Sequence, residues 1–146
     1  LGKRFFHAKR KAADIHPSEI IEPVLEPSQR AEYLRGWELF NAGEFWHAHE
    51  AWENIWKERP EPARIFFQGI IQLAAAYHLI LVKHRYGGAM NNLEKADEKL
   101  RMFPTFFLGV RVGQLLKAIG RAKDELQQSG AEKFDRKIIP EVEVLR

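Results

Sequence analysis

The sequence predicts an all-α fold: a five-helix bundle of antiparallel helix hairpins built around one apolar central helix. Apolar residues recur at helical spacing in separate stretches between about residues 28 and 128. No sizeable segment alternates apolar and polar residues as a half-buried strand does. Most connections between the periodic stretches are short, which makes sequence neighbours antiparallel neighbours in space.

The helices follow in order. Residues 28–41 form the first, with Ser28 as N-cap and an apolar stripe of Tyr33, Leu34, Trp37 and Phe40. Gly43 in Asn41-Ala42-Gly43 suits the left-handed turn that ends it. The second covers residues 44–58 and stops before Pro60 and Pro62. Phe45, His49, Trp52 and Trp56 share one of its faces, and His47 and Asn54 point away. The third, residues 61–84, has no charge between Arg64 and Lys83. That length meets the lower limit for a membrane span. Gln68, Gly69, Gln72 and His78, and the lack of a second such segment, favour the centre of a soluble bundle. Gly87-Gly88 reads as a turn before a fourth helix over residues 89–102, with Ala89, Leu93, Ala96 and Leu100 inward. Residues 103–109 read as a buried aromatic loop. A fifth helix spans residues 111–128, with Val112, Leu115, Leu116, Ile119, Ala122 and Leu126 in register.

Outside the 28–130 bundle lie an arm, residues 1–27, and a tail, residues 131–146. Prolines at 17, 23 and 27 forbid a long helix in the arm, while Ile20, Ile21, Val24 and Leu25 are too apolar for a free linker. The arm is expected to lie across the bundle or a neighbouring subunit. The tail contains Ile138-Ile139-Pro140 and a Glu-Val-Glu-Val alternation too short to define a strand.

Composition narrows the function classes. At 146 residues, a single domain buries about 68–70% of its unfolded surface. Hydrophobic residues at 45% and charged residues at 29% exclude a disordered chain. The absence of cysteine excludes a disulfide framework, a thiolate zinc site and a cysteine nucleophile. The net charge of +3 is local: Lys3, Arg4, Lys9, Arg10 and Lys11 carry it, and the remainder is slightly acidic. This is a basic terminus rather than a nucleic-acid-binding face, with an arm for phosphate or anionic lipid as its functional alternative. No apolar leader segment follows those charges, so a cytoplasmic location is expected.

The stretch from Phe40 to Trp56 carries the chemistry. His49-Glu50-Ala51-Trp52-Glu53 differs from the zinc-protease pattern H-E-x-x-H in having Glu53 where the second histidine belongs. A carboxylate also ligates zinc, so His49 and Glu53, four apart on one face, would form half of a divalent-metal site. The E-x-x-H pairs of a di-iron bundle are missing. Gln68 and Gln72 share a strip of the third helix with Ala75, Ala76 and Leu79, whose small side chains would admit the second helix. The expected result is a buried polar cluster of His49, Glu53, Gln68 and Gln72, with Glu50 at its rim. Such a cluster is either a small-ligand or metal pocket, hydrolytic in one version, or a satisfied network that only fixes helix register. In the second version the chain is a non-catalytic interaction module. His78 reads as a packed core histidine. Gly87-Gly88 lacks the Lys-Ser/Thr of a phosphate loop, and the three serines, Ser18, Ser28 and Ser129, lie near termini, helix ends or loops. Gly36, Gly43, Phe45, Ala48, Trp52 and Pro60 approach the spacing of a tetratricopeptide hairpin, but no second repeat follows.

The runs Phe-Asn-x-Gly-x-Phe-x-x-x-His-Glu-x-Trp-Glu-x-x-Trp at 40–56, Phe-x-Gln-Gly-Ile-Ile-Gln-Leu-Ala-Ala-Ala-x-His at 66–78 and Gly-Gly-Ala-x-x-x-Leu at 87–93 resemble domain-of-unknown-function family 309. The resemblance covers about residues 30–128 and implies an all-α bundle. It places His49, Glu50, Glu53, Gln68, Gly69 and Gln72 at the family's signature positions and implies no activity. Seventeen aromatic residues and an apolar, proline-containing arm further predict self-association, with arm exchange as a route to a two-fold dimer.

Overall fold

The computed structural model describes residues 12–57, 59–60 and 62–145. The basic cluster at residues 3–11, Glu58 and Glu61 lie outside these. Among the described residues the order is α1 (Pro27–Asn41), α2 (Phe45–Trp56), α3 (Ala63–Leu81), α4 (Tyr86–Leu100), β1 (Phe106–Phe107), β2 (Val110–Arg111) and α5 (Val112–Ser129). The all-α bundle is therefore present, with one small hairpin inserted before α5.

Each α1–α4 neighbour packs on the next, and α3 lies between α2 and α4. Twelve of the nineteen α3 residues are buried, as expected of a helix apolar on most sides. By length and composition alone α3 would also cross a membrane, but 61% of its apolar window is already covered by the rest of the bundle. The described core contains no buried polar or charged residue outside the tyrosines and tryptophans. Rings fill its centre: Trp37 meets Trp52 at 4.6 Å and Phe40 at 5.2 Å, and Phe40 meets Tyr77 at 5.8 Å.

Two close approaches set helix spacing. A Cβ on Gly36 would lie 2.0 Å from Trp52 Nε1, so only glycine admits the indole against α1. That indole N–H donates to Tyr33 O at 3.1 Å. A Cβ on Gly69 would come within 2.8 Å of Leu100, which brings α4 against α3.

Several boundaries differ from the sequence reading. α1 starts at Pro27, not after a Ser28 cap, because the fixed φ of proline suits the first helical position. The Gln29 side chain accepts from the Glu26 N–H at 3.2 Å. α3 stops at Leu81, where His84 at φ +54° turns the chain and the Arg85 N–H closes on Leu79 O at 2.9 Å. Gly87-Gly88 is not the turn but lies in the first turn of α4. The 103–109 loop becomes an antiparallel hairpin whose turn residues, Leu108 and Gly109, both have positive φ. That geometry matches the twist of paired strands. Both polar groups of the Leu108 backbone are held: its N–H donates to Glu22 at 3.0 Å and its carbonyl accepts from the Tyr33 hydroxyl at 2.7 Å.

The arm from residue 13 lies on its own bundle, with Ile15 buried, Ile20 and Leu25 against the core, and Glu22 on the hairpin. The Glu-Val-Glu-Val tail forms no strand. Asn41 brackets Val142 instead, donating to its carbonyl at 2.9 Å and accepting its N–H at 2.7 Å. Further along, Glu143 pairs with Arg111 at 3.1 Å and the Leu145 N–H reaches Gly109 O at 2.8 Å.

Candidate functional site at the α2–α3 seam

Residues 46, 49 and 53 fall at i, i+3 and i+7 on α2, so Trp46, His49 and Glu53 form one strip. Antiparallel packing brings the start of α2 beside the end of α3: Phe45 meets Tyr77 at 5.1 Å, and Trp46 meets His78 at 5.0 Å. The Trp46 indole stacks on His49 at 4.5 Å and 19°, yet remains 44% exposed. It separates a solvent-facing surface from the aromatic core beneath.

His49 is the more enclosed histidine, its side chain 15% exposed, with Nε2 3.8 Å from the Glu53 carboxylate. Its Nδ1 is buried and has no hydrogen-bond partner among the described residues. A proton on Nδ1 would be a stranded donor, so the neutral ring places its proton on Nε2, towards Glu53. His78 is half-buried at the edge of the seam. Burial, followed by the positive charge of Lys83 and the nearby His49, holds it below its ordinary value of 6.5.

The predicted cluster is only partly assembled. His49 and Glu53 face one another. Gln72 accepts from Lys99 Nζ at 3.0 Å and so belongs to the α3–α4 seam. Gln68 is half-buried on the same strip, one turn earlier. That strip runs along α4, with Leu79 against Gly88 and Gly69 against Leu100. The small residues expected to admit α2 thus flank the approach of α4. Glu50 pairs with His47 at 3.2 Å, both side chains exposed, rather than rimming a pocket. The buried His–Glu–Gln–Gln network is corrected to an open face, because the described core contains none of its members.

Trp46 and His78 were missed as members. Trp46 was legible as the residue three before His49. His78 required the antiparallel pairing of two helices, which spacing within one helix does not contain.

Among the described residues, no group of three or more His, Asp or Glu side chains is placed to hold a metal ion. His49 and Glu53 remain two donors without a third. What the face offers is a planar aromatic surface flanked by two imidazoles and a carboxylate.

The depressed His78 makes a pH prediction. The folded chain takes up its proton at lower pH than the unfolded chain, so this contribution to stability is complete above about pH 6.5 and is lost as the pH falls through the folded value. The melting temperature should therefore drop more between about pH 7.5 and 5.5 for the parent chain than for His78→Gln. Identical pH slopes would show that His78 is not linked to folding.

No curated protein matches the chain. Residues 33–92 match the family model described as Domain of unknown function (DUF309), running from α1 into α4; the hairpin and α5 lie outside that match. Through this helical core, the chain is similar to the DUF309 family.

Proposed function

We propose that the chain is a non-catalytic recognition module whose binding face is the α2–α3 seam around Trp46, His49, Glu53 and His78. The observation that carries this reading is the exposed Trp46 ring, stacked on His49 and held in place from below. A large aromatic fixed at the surface supplies contact area at little entropic cost, which is how recognition hot spots are built. The hydrolytic or metal-dependent version draws on the His49–Glu53 pair alone and needs a third ligand from elsewhere.

The test uses full-length protein labelled with 5-fluorotryptophan, observed by fluorine NMR in buffer and in a concentrated cell extract. Trp37 and Trp52 are buried and serve as internal references. The Trp46 resonance, assigned by its loss in Trp46→Phe, should shift or broaden in extract while the references do not. His49→Ala should remove that response and keep a cooperative melt. A Trp46 signal unchanged in extract, or one that moves only in step with the references, would overturn the proposal.

A further inference from the structure

The Phe40-Asn41-Ala42-Gly43-Glu44-Phe45 run builds a second feature, on the side of α2 that faces the tail. Its turn between α1 and α2 and the residues after α5 enclose a cleft of about 190 Å³. At roughly 30 Å³ per water, that is room for about six waters or one small molecule. Phe40 and Phe45 line it on the helical side, and Pro140 and Glu141 on the tail side. Arg136 stands over Gly43: a Cβ there would lie 3.4 Å from its Nη2. Gly43, at φ +82°, makes the turn that brings this wall beneath the guanidinium.

Arg136 is fixed at its base. It opens the 3₁₀ turn Arg136–Ile138, capped by Asp135, whose own N–H donates to Glu125 on α5 at 3.1 Å. The other wall is fixed by the two Asn41–Val142 hydrogen bonds. Among the described residues, Arg136 is the single cation in the lining and Glu141 the single anion.

We propose that this cleft binds a small molecule through one oxyanion group, carboxylate or phosphate, held by Arg136. The planar guanidinium fork matches either group. Glu141 in the same lining favours a ligand that carries a hydrogen-bond donor beside its anionic group. The proposal gives the Asn41-Ala42-Gly43 turn a role in building a site as well as in joining two helices.

The experiment titrates ¹⁵N-labelled full-length protein with inorganic phosphate and, separately, with glycine, at ionic strength held constant with chloride. A saturable shift of the Gly43 amide and the Arg136 Nε–H with either probe, weakened about tenfold or more in Arg136→Gln, supports the site. The probe that acts identifies which oxyanion is preferred. Absence of a saturable shift with both probes, or an Arg136→Gln titration equal to that of the parent chain, overturns it.

Discussion

Gly36→Ala is expected to be the most damaging single-methyl change in the protein, costing about 3 kcal/mol or more. The added Cβ would sit 2.0 Å from Trp52 Nε1 and 2.5 Å from the adjoining ring carbon, well inside van der Waals contact. Trp52 cannot yield easily. It is fully buried, it packs on Trp37 at 4.6 Å, and its N–H is committed to Tyr33 O. Displacing the ring would strand that donor, at about 1–3 kcal/mol, as well as straining the core. Alanine gains only about 1 kcal/mol over glycine in helix propensity, so the steric effect wins. Gly120→Ala is the control: it lies on the exposed side of α5 with nothing near its Cβ position, and should stabilise slightly. Urea unfolding of both variants decides the matter. A Gly36→Ala loss below about 1 kcal/mol would mean that the α1–α2 spacing adjusts freely.

Phe66→Ala should cost about 3–5 kcal/mol. Phe66 is completely buried on α3 and meets three other rings, Phe67 at 6.0 Å, Phe103 at 5.3 Å and Phe107 at 4.9 Å. Two of these rings come from the segment after α4, so the side chain ties the central helix to the hairpin. Truncation removes burial energy and leaves a void whose walls belong to separate elements and collapse poorly. With domain stabilities of about 5–15 kcal/mol, either variant would bring a marginal protein near its unfolding limit. Chemical denaturation gives the magnitude. If Phe66→Ala melts within a few degrees of the parent, α3 is not the packed centre described above.

The site residues divide according to the kind of information that locates them. His49 and Glu53 were legible because both lie on one helix, and a four-residue spacing is enough to put them on one face. Gln68 and Gln72 were correctly paired with each other but assigned to the wrong neighbour. Periodicity gives the relative angles around α3 and not its rotation against α2, which packing between helices selects. Gly69 against Leu100 sets the α3–α4 approach and leaves the glutamines along that seam. His78 lies half-buried at the seam rather than in the core for the same reason.

By itself, the sequence determined which segments are helical, which helix is the apolar centre, and that Gly43 ends the first helix with positive φ. These are local consequences of periodicity and backbone sterics. Tertiary structure alone decided that Trp46 meets His78 across the α2–α3 seam, that Asn41 serves the tail in place of a neighbouring strand, and that Arg136 stands over Gly43. Each of these joins residues from separate elements. Their meeting depends on how whole helices rotate and slide to fill a common core, a choice made by the sum of many contacts and written in no single stretch of the chain.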